Sequence, residues 1–449
     1  MNGKGQLFLA SEGEWTKVPG VPPPIEAFYA LQDTQTLDAS TGLILAVVAF
    51  LFLPLAVFST NGFAPLLGVT AVLVIAVACF RGLVPTGIGP VGSMLAASFV
   101  YALASAWWAD HPIATLRLLP GLGATLLGGM VLVRVIEGMD EEARRLVRRA
   151  LIIGGAVGYG LMAFELITNG ILHRAGLQAV GIQDLEGYQI TMALKRGTTI
   201  AVLYTGPFGL ALYREFGRRA ALAGTALGLV IGALGLSATA ITAGLVGLAV
   251  FGFALLRGRA TALALAAVLA LGVAGSPWIP SLLPDPTRAH EKVAFLSNSS
   301  VHRMAIWGVA VRHIAERPVF GYGLNAARTL YPPGSAVPTS FYTSDGTLAF
   351  ETHFEPIPLH PHNGILQIWL ELGVVGAAVL LGVLLLALRA IMARGPGPVE
   401  QAAALATFAA TLMVYLVGFG AWQSWWLCGL FLLATWILAT LTRPRDQAA

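Results

Sequence analysis

Twelve stretches of roughly 20 mostly apolar residues, each long enough to cross a bilayer, constrain this chain more than any motif in it. They run over about 41–58, 63–80, 91–108, 113–133, 150–168, 197–213, 220–236, 238–256, 260–276, 363–388, 400–420 and 423–441. Of the 449 residues, 56% are hydrophobic and only 11% charged, whereas soluble domains carry about a quarter charged residues. The deficit extends over the whole length, so lipid is the solvent for most of the fold. The expected class is an all-α polytopic membrane protein with about 12 transmembrane helices. Only the Leu236-Ser237 region separates the seventh and eighth spans; one long helix there would reverse the parity. Cys79 and Cys428 both fall inside apolar segments and read as small core residues rather than a disulfide or metal framework.

Basic residues set the expected orientation, because cytoplasmic loops collect Lys and Arg. With the first segment in the cytoplasm, seventeen of the 27 basic residues lie on that side, including Arg144, Arg145, Arg148 and Arg149 in "RRLVRR". These four read as topology anchors that meet anionic head groups. The short outer loops carry only Arg174, Lys195 and Arg196, and Arg117 falls within a span. The domain reading is a cytoplasmic tail over 1–40, spans one to nine over 41–276, a long outer loop over 277–361, spans ten to twelve over 362–442 and a cytoplasmic tail over 443–449. The first tail lacks the apolar core and cleavage site of a secretory signal. It is expected to hold a short surface helix near Ile25–Leu31. Neither a Walker sequence nor another Gly-rich phosphate loop occurs.

Polar residues collect at the outer ends of the spans. "ALKRGTTIA" places Lys195 and Arg196 just before span six. "SNSSVHRMAIWGVAVRHIAERPVFGYGLNAAR" predicts an amphipathic helix from about Ser299 to Glu316, capped by Ser299 or Ser300, with His302 and Arg303 near its start. "LHPHNGILQIWLELGVVG" puts His360, His362 and Asn363 at the mouth of span ten. Glu371 follows eight residues into that span, about 12 Å along a helix. An intramembrane carboxylate is a functional candidate by default. Arginine forks suit a diphosphate. A neutral histidine beside them accepts a proton near pH 7, and neighbouring cations keep it neutral. Base, diphosphate clamp and access from lipid together describe glycosyl transfer from a polyprenyl diphosphate sugar.

These stretches also resemble a known family. "HPHNGILQIWLELGVVG" resembles the His-Asn…Leu-Gln…Glu-x-Gly-x-x-Gly signature of the O-antigen ligase and polymerase superfamily. "VHRMAIWGVAVRHIAERPVFGYGLN" resembles its outer-loop stretch, and "SAWWADHPIATLRLLPGL" its entry to a middle span. The resemblance covers roughly 95–440 and implies a GT-C-like, inverting glycosyltransferase of the bacterial inner membrane that needs no cofactor or metal. Both termini would be cytoplasmic, with the site facing the periplasm. The donor implied is an undecaprenyl-diphosphate-linked glycan. The acceptor is lipid A–core in ligases and a lipid-linked repeat in polymerases. The family's loop histidine maps onto His362 and its two functional arginines onto Arg303 and Arg196. Lys195, Arg117, His360, Asn363 and Glu371 would support the substrate, Glu371 by orienting His362 or an arginine. In "LGLSATAITAG", Thr239 or Ala240 stands where many members carry an arginine.

Three other readings are open. A polysaccharide polymerase differs from a ligase only in its acceptor. A flippase for lipid-linked oligosaccharides would need charges along a central path, whereas the span centres here are nearly free of charge. A zinc site from His353, His360 and His362 with Glu351 or Glu355 has compatible His-x-His spacing.

Overall fold

A computed structural model describes residues 25–80, 89–331, 334–394 and 397–441. The helices are α1 (Ile25–Phe58), α2 (Phe63–Phe80), α3 (Gly89–Ala104), α4 (Pro112–Gly138), α5 (Glu141–Ile167), α6 (Ile171–Ala179) and α7 (Ile190–Phe216). They continue with α8 (Arg218–Leu234), α9 (Ala238–Gly275) and α10 (Asn298–Glu316). A hairpin of β1 (Val337–Tyr342) and β2 (Leu348–Phe354) follows, then α11 (Gly364–Arg394), α12 (Pro398–Val417) and α13 (Ser424–Thr440). Eight helices among the described residues are long and apolar enough to cross a membrane: α1 from Ala39, α2, α3, α4, α5, α9, α11 and α12. The chain is therefore a multi-pass, all-α membrane protein.

The helix ends follow local chemistry. Pro112 opens α4, where a missing N–H costs nothing. Asp140 caps α5 by accepting the Ala143 N–H at 2.8 Å. Leu236, at φ 50°, turns the chain between α8 and α9, so the seventh and eighth apolar stretches are separate helices. Non-helical backbone at Arg257 divides α9 where the sequence suggested a break between spans eight and nine.

Close packing of α1 on α5 rests on small residues. A Cβ on Gly154 would fall 2.3 Å from the Phe50 carbonyl oxygen, and one on Gly158 would strike Leu53. Phe52 stacks on Phe63 with centroids 4.7 Å apart, beside Tyr204 and Trp436. Outward-facing apolar side chains such as Val72, Leu256 and Leu271 stay exposed, as a lipid-facing surface requires.

Four expectations change. α1 begins at Ile25 and continues without a break into the first apolar stretch, so there is no separate short helix at Ile25–Leu31. Residues 1–24 and 442–449 lie outside the described part. The 277–361 connection holds a β-hairpin as well as α10. In "RRLVRR", Arg144 and Arg148 point inward. Arg144 donates to the Ile136, Met139, Leu438 and Leu441 carbonyls, and Arg148 pairs with Glu141 and Glu215. Only Arg145 and Arg149 keep an exposed position. The cap of α10 is Ser297, two residues earlier than expected, and its hydroxyl accepts from Ser300 N.

Candidate functional site

The segment 318–328 is tied to α11 by backbone bonds and to the start of α4 by side-chain bonds. Tyr322 and Gly323 N–H donate to the Leu370 and Glu371 carbonyls, and Val374 N–H to the Pro318 carbonyl. Gly373, at φ 61°, breaks α11 locally; a Cβ there would lie 2.2 Å from the Val319 oxygen. Only glycine lets the two strands of chain pass this closely. From α4, the Thr115 hydroxyl donates to the Leu324 carbonyl at 2.7 Å, and Arg317 pairs with Asp110 at 2.9 Å.

Glu371 locks this assembly. Its carboxylate is fully buried. It accepts from Asn325 N at 2.5 Å, Ala327 N at 3.3 Å, Gln367 Nε2 at 2.9 Å and Trp422 Nε1 at 2.6 Å. None of these partners is His362 or an arginine side chain, so Glu371 bears on an arginine only through the backbone of the turn it holds. It fixes the turn that ends at Arg328, and no face of it is left for a substrate. Asn363 caps α11 as expected, its Oδ1 accepting from Ile365 and Leu366 N–H at 3.1 and 3.0 Å.

His360 and His362 stand side by side, ring centroids 4.3 Å apart. The Trp307 indole of α10 donates to the Pro361 carbonyl between them at 2.9 Å. His362 has φ 54°, a left-handed conformation in which its own N–H reaches His360 Nδ1 at 3.1 Å. Because that nitrogen accepts, His360 carries its proton on Nε2, which faces the Gln423 amide at 3.3 Å. The Gln423 oxygen is buried without a partner, so turning that amide lets its oxygen accept the His360 Nε2–H. His362 Nδ1 lies 3.1 Å from the Gly418 carbonyl, which can only accept. The proton therefore sits on Nδ1, and the neutral ring presents a bare Nε2 lone pair.

Electrostatics keep both rings neutral. Burial, then the His362 ring and the charges of Arg328, Arg303 and Arg196, pull His360 down to about 3. Burial also lowers His362; the Gly418 bond opposes this, and Arg303 and His302 add to it. Burial lowers Arg303 and His302 as well. Among the described residues Arg196, Arg303 and Arg328 have no carboxylate within ion-pair distance. Arg196 lies over the Trp425 ring at 5.2 Å and meets Asn61 Oδ1 at 3.5 Å.

The fold thus gathers His360, His362, Asn363, Arg303 and Arg196 from distant parts of the sequence. Lys195 and Arg117 are exposed and are not among the main charges that act on either histidine. Arg328, Gln423 and the Gly418 carbonyl are participants that the sequence reading did not single out. Arg328 closes the quoted "GLNAAR" stretch, which made it discoverable; nothing local marks "GFGAWQ" as a partner of histidines some 60 residues earlier. The proposed zinc grouping is not assembled. The two histidines use Nδ1 within the protein, and no group of three His, Cys, Asp or Glu suited to a metal occurs among the described residues.

Comparison with known proteins adds to this geometry. Residues 223–381 match the model of the O-antigen ligase family. Over that stretch the chain is similar to the O-antigen ligase family. That stretch runs from α8 into α11 and contains Arg303, Arg328, His360, His362, Asn363 and Glu371; Arg117, Lys195 and Arg196 lie before it. A Rickettsia prowazekii protein bearing the name "putative polysaccharide ligase" is 30% identical over 161 residues, 36% of this chain and 37% of that protein. A Rickettsia typhi protein of the same name is 30% identical over 163 residues, again 36% and 37%. The chain thus aligns with about a third of the length of these curated relatives.

Proposed function

We propose that this protein is an O-antigen-ligase-type glycosyltransferase that moves a glycan from undecaprenyl diphosphate to a hydroxyl of lipid A–core on the periplasmic face of the inner membrane. The observation that carries it is the bare Nε2 of a neutral histidine set among arginines that have no carboxylate partner. In this reading His362 Nε2 takes the proton of the acceptor hydroxyl. The freed oxygen attacks the anomeric carbon from the face opposite the diphosphate. The carbon–oxygen bond to the diphosphate breaks and its electron pair leaves with the phosphate oxygen. Arg303 and Arg196 hold that charge as it grows. A single displacement inverts the anomeric configuration. Lys195 and Arg117 widen the positive field at the helix ends.

The domain layout belongs to the same reading: residues 277–361 as a periplasmic loop, both tails cytoplasmic, and a GT-C-like helix bundle supporting the site. A polymerase acting on lipid-linked repeats uses the same chemistry with a different acceptor. The test is transfer by purified protein in lipid, with EDTA present, offering lipid A–core and lipid-linked repeats in separate reactions. Transfer to lipid A–core alone supports the ligase; extension of repeats alone makes the protein a polymerase.

A further inference from the structure

Just before His360 the chain turns over a cavity of about 180 Å³. Arg328, Tyr331, Glu355, Ile357, Pro358 and Leu359 contribute to its lining. A single water needs only about 10–15 Å³ of such space, so there is room for a much larger guest. Arg328 and Glu355 carry opposite charges and line the same space, yet among the described residues neither has an ion-pair partner. A ring bearing several hydroxyls satisfies both at once, donating to the carboxylate and accepting from the guanidinium. Tyr331 supplies a ring held in place, its hydroxyl 3.0 Å from His313 Nε2. Pro358, half-buried, and Leu359, exposed, give the apolar surface that a sugar's C–H face packs against, over the buried Ile357.

The cavity is built, not incidental. Arg328 ends the turn whose Asn325 and Ala327 N–H groups are fixed by Glu371. Leu359, half exposed at the rim, directly precedes His360. Arg328 is also close enough to bear on the His360 ring.

The geometry points to a saccharide subsite here, which binds one sugar residue of the glycan whose bond is made or broken at His362. The assignment rests on the glycosyl-transfer reading above. The sugar belongs to either the donor or the acceptor, and kinetics separate the two.

The experiment measures initial rates for purified protein in lipid, varying the lipid-linked donor at fixed acceptor and then the reverse. It compares wild type with Glu355→Gln, Arg328→Ala and Leu359→Trp, the last narrowing the mouth without touching either charge. Glu355→Gln and Arg328→Ala are each expected to raise KM about tenfold for the same one of the two glycans, as loss of a charged hydrogen bond worth about 1.5 kcal/mol does, and Leu359→Trp raises that same KM by crowding the mouth. KM for the other glycan stays within twofold, and the affected glycan is the one the cavity holds. An active wild type whose variants leave both KM values within twofold overturns the subsite, as does an equal rise in both. A wild type inert with every glycan pair overturns the transfer reading, and the subsite falls with it.

Discussion

The proton on Nδ1 of His362 decides what the rest of that ring can do. Gly418 fixes it there, so Nε2 is a base whenever the ring is neutral. Burial, and to a lesser extent Arg303, lower its pKa from the usual 6.5, so the ring is neutral at neutral pH. The acidic limb of the kcat/KM profile is therefore expected below pH 6.5. Removing Arg303 takes away one lowering influence, so the limb in Arg303→Ala should move towards higher pH while the rate falls. A wild-type limb at or above pH 7 contradicts this. His360 acts differently, as the acceptor that holds the His362 backbone in its left-handed turn. Its folded value near 3 lies below the ordinary 6.5. As pH falls through that window the unfolded chain takes up a proton that the folded loop refuses, so acid weakens the loop. The two histidines were legible from the sequence as a pair at a span mouth. Their division of labour was not, because it depends on Gly418 and Gln423, which only the folded chain brings near.

Between α10 and α11 the loop is held by one carboxylate and one glycine. Replacing Glu371 with alanine strands two backbone N–H groups, the Gln367 amide and the Trp422 indole in a buried site. Unsatisfied donors cost about 1–3 kcal/mol each, so Glu371→Ala is expected to be strongly destabilising. Glu371→Gln keeps one acceptor oxygen and should lose less. Gly373→Ala places a Cβ against the Val319 carbonyl at a backbone conformation that costs other residues about 1–3 kcal/mol. Thermal unfolding in detergent, followed by tryptophan fluorescence, checks the ranking: wild type, then Glu371→Gln, then Glu371→Ala, with Gly373→Ala also below wild type. Glu371→Ala melting with wild type removes the carboxylate's structural role. The sequence marked Glu371 as exceptional because charge avoids spans, and that rule held. It could not name the partners, since Asn325, Ala327 and Trp422 come from two other segments. The hairpin was hidden for another reason: "VPTSFY" and "LAFETHF" are short strands in a connection whose hydropathy is unremarkable.

Across the whole molecule, apolar length revealed the membrane class, because lipid tolerates little besides closed helices. Charge asymmetry could not show that Arg144 and Arg148 face inward, since a basic run reads the same whether it caps carbonyls or meets lipid. The proposed topology predicts that Ser344→Cys, at the exposed hairpin turn, reacts with a membrane-impermeant maleimide from the periplasmic side. Arg219→Cys, in the first turn of α8, should react only after permeabilisation, in a background with Cys79 and Cys428 replaced. The opposite pattern inverts the site. The most direct test of the central claim is transfer of an undecaprenyl-diphosphate glycan to lipid A–core by purified protein in lipid, comparing wild type with His362→Ala. The account predicts transfer by wild type and a loss of at least about 100-fold in the folded variant, the scale of general-base catalysis. A folded His362→Ala protein that transfers at the wild-type rate would contradict it.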